Sequence, residues 1–243
     1  MLSHPPSTVM AVTEIAMTEL ALSEAGDNAP ALPAGGFAVV DVETTGFSAQ
    51  SDRIVEVAVV ALDANGCEVD AYCTLLDPAT GPGPTHVHGI TADMLVGAPT
   101  FAAIHPRLVG LLSGRVLVGH NVDRFDLGFL REECRRAGGD GLVPGSLAVL
   151  DTLHVAQRHL DLYRRAKLVD CCDYFGLTWE AHHSALGDAR VTADLFQCMR
   201  ARLGDDVLQL TELLAQASAT SWPELDQPAE VPTAHLRPVM PSV

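Results

Sequence analysis

A single lysine, Lys167, stands in 243 residues, and the first 30 residues carry neither lysine nor arginine. A secretory signal needs a basic start, so none is expected. No apolar run reaches the ~18 residues of a membrane-spanning helix, and no membrane partner is expected. The six cysteines form no C-x-x-C pair, which excludes a disulfide scaffold. Cys171 and Cys172 with His182 and His183 do not make a zinc site, because adjacent cysteines cannot easily point at one ion. No segment repeats at a fixed period. Basic charge is scarce: Lys and Arg number 15 against 31 Asp and Glu, for a net charge of -16. A general basic footprint for nucleic acid is therefore absent. These exclusions leave a soluble, cytoplasmic protein with reduced, mostly buried thiols.

Hydrophobic residues make up 48% of the chain and charged residues 19%, ample for one core with some surplus. Three parts are distinguished. Residues 1–34 mix Ala, Ser, Thr, Pro and Glu and read as a flexible leader. Residues 35–216 read as the folded domain. Residues 217–243 are rich in proline with little periodicity, and read as a flexible tail. Two local basic clusters relieve the acidic balance: Arg131, Arg135 and Arg136, then Arg158, Arg164, Arg165 and Lys167. The second is either a solvated helix end or the flank of a groove.

Within the domain the pattern is three strands followed by alternating helices and strands. Phe37–Asp41, Arg53–Leu62 and Glu68–Leu76 are apolar, β-branched runs, with Asn65-Gly66 at the hairpin turn between the second and third. Helical spacing covers Phe101–Leu112, with Thr100 as N-cap. A strand at Arg115–Gly119 and a helix at Asp126–Ala137 follow, the helix closed by Gly138-Gly139. Then come a short strand at Leu147–Leu150 and helices at Asp151–His159, Leu168–Phe175, Ser184–Leu203 and Leu208–Gln216. The class is α/β, a mixed five-stranded sheet flanked by helices.

Four acids interrupt this apolar pattern. Asp41 ends a wholly apolar strand, and Glu43, two residues on, shares its face. Two carboxylates held side by side repel unless a cation sits between them. Thr44, Thr45 and Gly46 follow, with hydroxyls and close backbone approach suited to a phosphate or sugar. Asp126 opens a helix among Phe125, Leu127, Phe129 and Leu130, so its burial calls for a metal. Asp123 nearby reads as a surface N-cap. Asp188 lies five residues after His183; Asp194 rotates off that face and reads as solvated or ion-paired, and His182 as a bystander. Oxygen ligands select hard cations, Mg²⁺ or Mn²⁺. Two such ions ~3.5–4 Å apart clamp the attacking and leaving oxygens of a phosphoryl displacement. A histidine beside them can take a proton from water near neutral pH.

VVDVETTGF, VHGIT, GHNVDRFDLGFL and HHSALGDA, in that order, resemble the motifs of the DEDDh family of 3′–5′ exonucleases. This DnaQ-like group includes the proofreading epsilon subunit of bacterial replicative polymerase. The resemblance runs over about residues 35–203. It implies an RNase H-like fold, two Mg²⁺ or Mn²⁺ ions, and release of nucleoside 5′-monophosphates from a 3′ end. It implies that Asp41, Glu43, Asp126 and Asp188 are the metal ligands and His183 the general base. By the same resemblance Thr44 and Thr45 hold the terminal nucleotide, Phe47 wedges against its base, and His88 lines the pocket. His120 and Asn121 support the second motif. The implied partners are nucleic-acid 3′ ends, single-stranded DNA first and RNA second, and a polymerase or repair complex.

Departures from the family pattern are small. Gly187 stands where many members have an acid, and ATGPGPT lengthens the loop before His86. QLTELL resembles a clamp-binding motif only loosely, and its spacing fits packing on the domain. A non-catalytic nucleic-acid or polymerase-associated module on the same fold is the competing reading. Such a descendant tolerates loss of an acid or of the histidine, and none is lost here.

Overall fold

Residues 37–42 and 54–62 are apolar at nearly every position, as strands covered on both faces must be. The computed structural model describes residues 35–139, 147–160, 162, 166–179, 183–220 and 235. The expected leader (1–34), Arg164, Arg165, His182 and most of the expected tail lie outside the described residues. The two apolar runs become β1 (Phe37–Thr44) and β2 (Ile54–Leu62), and β2 is buried at all 9 positions. With β3 (Glu68–Leu75), β4 (Val116–Gly119) and β5 (Val149–Asp151) they form one sheet in the order β3-β2-β1-β4-β5. β1 runs antiparallel to β2 and parallel to β4; β3 is antiparallel to β2, and β5 parallel to β4. This is the mixed, RNase H-like sheet anticipated from the sequence.

Alternation along β1 sends its side chains into two cores. Ala38, Val40 and Val42 face α2 (Phe101–Leu112) and α3 (Asp126–Arg136), where Ile104, Leu108, Leu127 and Leu130 pack. Phe37 and Val39 face α6 (Ala185–Leu203), where the rings of Phe37 and Phe196 lie 4.7 Å apart. A smaller core joins α6 to α4 (Thr152–His159) and α5 (Leu168–Phe175). α7 (Leu210–Ser218) packs Leu210 and Ala217 onto the α6 side, as its apolar spacing predicts. The Thr100 hydroxyl accepts from the Ala103 amide at the start of α2, and Gly66 supplies φ +90 in the hairpin.

Three expectations are corrected. β1 extends three residues past Asp41, because Val42, Glu43 and Thr44 continue to pair with Val57, Glu56 and Ile54. A one-turn helix, α1 (Thr85–His88), and a 3-10 turn at Ala92–Leu95 occupy a stretch read as loop. Asp123 does not cap α3: Phe125 holds the N-cap position with no side-chain bond. The chain instead turns at Asn121 (φ +69), and the Asp123 amide donates to Asp151 Oδ2. Past α7, His235 lies on the outer edge of β3, its carbonyl accepting from the Leu75 amide at 2.7 Å. No described helix is long and apolar enough to cross a membrane.

Candidate active site and metal centre

β1 parity dictates where the first two acids point. Asp41 and Glu43 share the face of Phe37 and Val39, which is the face covered by α6. Asp188 lies in the first turn of α6, and ligand oxygens of Asp41, Glu43 and Asp188 all fall within 4.8 Å of one another. Two contacts fix the start of that helix. Ser184 Oγ accepts from the Gly187 amide at 3.2 Å, and the buried Glu56 of β2 accepts from the Ala185 amide at 2.9 Å. Glu56 is paired with Glu43 across the strands, so it adds a further carboxylate beside the cluster.

Asp126 reaches the site from the opposite layer. It is the first residue of α3, 4% exposed, and its Oδ1 accepts from the Val42 amide at 3.1 Å. Its carboxyl therefore sits on the peptide between Asp41 and Glu43. Burial, above all, pushes its pKa up to about 7, with the charge of Asp151 adding to the rise. Asp41 is raised well above its ordinary value, by burial first and then by the charges of Asp126, Asp188, Glu43 and Glu56. Such a cluster of acceptor oxygens fits a hard divalent cation, which relieves both the repulsion and the desolvation. Asp41, Glu43 and Asp188 are the residues placed to hold it, with Asp126 alongside.

The remaining expected residues spread around this centre. His183 (φ +60) enters α6 two residues before its first turn. Phe47 stands 90% exposed on the loop between β1 and β2. The loop uses both threonine hydroxyls: Thr44 Oγ1 donates to the Gly46 carbonyl at 2.6 Å, and Thr45 Oγ1 accepts from the Arg53 amide at 3.0 Å. His88 is buried in α1, with Nδ1 accepting from the Ile90 amide. Asn121 donates its amide to Asp151 Oδ1, and His120 lies 2.9 Å from Thr152 Oγ1 and 2.7 Å from the Ala166 carbonyl. The Asn121 backbone amide thus ties the turn into α3 to the end of β5, and His120 ties it to the start of α4 and to Ala166. Asp194 is exposed, as expected of a residue off the site face.

Three residues of the site were missed in the sequence. Trp179 donates its indole N–H to Asp188 Oδ1 at 2.9 Å. Asp151 gathers the amides of Asn121, Asp123 and Leu153. Glu56 had a legible signal, being the one charged residue inside the apolar run IVEVAVVAL.

A profile of the exonuclease family, RNase T type, matches residues 38–196, spanning every element from β1 to α6 except the final turns. The chain belongs to this exonuclease family. Over 170 residues it is 37% identical to the DNA polymerase III subunit epsilon of Treponema pallidum, covering 67% of this chain and 75% of that subunit. It is 33% identical over 163 residues to the PolC-type DNA polymerase III of Clostridium perfringens, covering 66% of this chain but spanning only 11% of that polymerase. E. coli exonuclease I, solved with single-stranded DNA and a zinc ion, superposes with a TM-score of 0.64 at 20% identity over 72% of this chain and 42% of that one. At that identity the likeness is one of fold. The family places this chain among the DnaQ-like 3′–5′ exonucleases.

Proposed function

We propose that the protein is a divalent-metal-dependent exonuclease that removes nucleoside 5′-monophosphates from the 3′ ends of single-stranded or frayed DNA. One observation carries the reading: β1 and α6 bring Asp41, Glu43 and Asp188 within 4.8 Å, with Asp126 delivered beside them by α3. The all-oxygen donor set supports Mg²⁺ or Mn²⁺. Two such ions, when bound, supply Lewis-acid stabilisation to the attacking and leaving oxygens. The chain's own part is positional. The four carboxylates hold the centre, and the anchored start of α6 keeps Asp188 in place. His183 takes the proton of the attacking water. Phe47 lies against the terminal base, while Thr44, Thr45, His88 and Asn121 shape the pocket for the terminal nucleotide.

The 37% identity to a polymerase subunit supports DNA over RNA, and a place beside a polymerase or in repair. The test is product release from matched 3′-ended single-stranded DNA and RNA oligonucleotides, with Mg²⁺, Mn²⁺ or EDTA, and with Asp41→Ala as control. Stepwise release of mononucleotides, abolished by EDTA and by the substitution and faster on DNA, is the expected result. Faster release from RNA makes the protein an exoribonuclease. No release from either substrate by folded, metal-loaded protein leaves a non-catalytic binding module.

A further inference from the structure

The loop that displays Phe47 is closed by its own hydrogen bonds, among them the Ser48 amide to Asp52 Oδ2 and the Asp52 amide to the Ser48 carbonyl, and it is tied in addition to another element. Arg136, the last residue of α3, reaches across to it. Its Nη2 donates to the Ala49 carbonyl at 2.6 Å and the Gln50 carbonyl at 2.9 Å, and its Nη1 to the Asp52 carbonyl at 3.0 Å. Only a guanidinium offers donors in a rigid fork wide enough for three carbonyls. Glu133, 2% exposed and one turn back on α3, accepts from Arg136 Nη1 at 3.1 Å. The same carboxylate takes a two-pronged pair from Arg53, at 2.7 and 2.9 Å, where β2 begins. Arg53 in turn donates to the Pro78 carbonyl at 2.8 Å. That segment continues to Gly83 (φ +80), whose α-carbon rests so tightly on the Thr45 backbone that any Cβ would overlap it. The loop that carries Phe47 and the segment that rests on Thr45 are thus both fastened to Glu133.

α3 also carries Asp126, ten residues and roughly 15 Å before Arg136. One rigid helix therefore holds a carboxylate of the metal centre at one end and the Phe47 loop at the other. We propose that Arg136, oriented by Glu133 together with Arg53, is a positioning residue for the terminal nucleotide: it fixes where Phe47 stands relative to the carboxylates. This rests on the exonuclease reading.

The test compares Arg136→Ala, Arg136→Lys, Phe47→Ala and the Arg136→Ala/Phe47→Ala pair on two substrates. One is a single-stranded DNA oligonucleotide. The other is bis(p-nitrophenyl) phosphate, a phosphodiester with no base to hold. Arg136→Ala is expected to raise KM for the oligonucleotide about tenfold, the scale of losing bonds to a charged group, with little change in kcat. Arg136→Lys keeps the charge without the fork and is expected to behave like the alanine variant. The pair is expected to match Phe47→Ala alone, because both act through the same ring. Arg136→Ala and Arg136→Lys are expected to cleave bis(p-nitrophenyl) phosphate at the wild-type rate. A wild-type KM in Arg136→Ala, effects of the two substitutions that multiply, or an equal loss on the small substrate overturns the proposal. Wild-type protein inactive on both substrates instead overturns the exonuclease reading beneath it. Faster hydrogen exchange of the amides of 46–52 in folded Arg136→Lys protein is the companion result, and unchanged exchange counts against the clamp.

Discussion

Trp179 is one side chain whose work is legible only in three dimensions. Its indole can donate but not accept, so the bond to Asp188 orients that carboxylate. Partners of this kind set metal affinity by holding the ligand in its productive rotamer. Trp179→Phe keeps the ring and loses the donor, and is expected to weaken Mn²⁺ binding about 10- to 100-fold by calorimetric titration; unchanged affinity removes Trp179 from the centre. The four acids were visible in the sequence because each breaks an apolar pattern. Asp41 and Glu43 share a parity on one strand, Asp126 sits among Leu and Phe, and Asp188 opens a long helix five residues after His183. Trp179, Asp151 and the roles of Thr44 and Thr45 were not, since each is defined by a hydrogen-bond partner that no periodicity encodes. Asp123 shows the same limit. Its short polar side chain satisfies the local rule for a cap, but the left-handed turn at Asn121 carries its amide to Asp151 instead.

At the level of elements, α3 does most to join the parts. Its apolar stripe packs under β1, its first residue lies beside the carboxylate cluster, and its last turn carries Glu133 and Arg136. Glu133 is buried between two arginines, so removing its charge leaves both without their only carboxylate partner among the described residues. Glu133→Gln is expected to cost about 3–5 kcal/mol of folding stability, read as a lower urea midpoint at unchanged slope. A loss below about 1 kcal/mol places the network at the solvated surface. The helices and strands themselves were legible almost throughout, because apolar runs and caps are local. The one-turn helix Thr85–His88 was not: four residues are too few for a 3.6-residue period to declare itself, and Pro82, Gly83 and Pro84 argue for a loop.

For the molecule as a whole, the carboxylate cluster couples stability to pH and to cations. Asp41 and Asp126 hold protons more tightly folded than unfolded. The stability they contribute is complete below the ordinary carboxyl value near 4 and is lost as the pH rises, for Asp126 through about 7. His105, lowered by burial, acts oppositely, but only below its ordinary 6.5, where the unfolded chain gains the proton first. Metal-free protein is therefore expected to melt at lower temperature at pH 8 than at pH 6.5, and Mg²⁺ to raise the melting temperature more at pH 8 than at pH 5.5. An equal Mg²⁺ shift at both pH values contradicts the coupling. The sheet order has a temporal side as well. β1 stands at its centre and is made early, whereas α6, which completes the centre, comes 147 residues after Asp41 at Asp188. At about 5–20 residues per second, a growing chain carries Asp41 and Glu43 for roughly 7 to 30 seconds before Asp188 exists. A chain built in this order has no complete carboxylate cluster until α6 has been made and has docked.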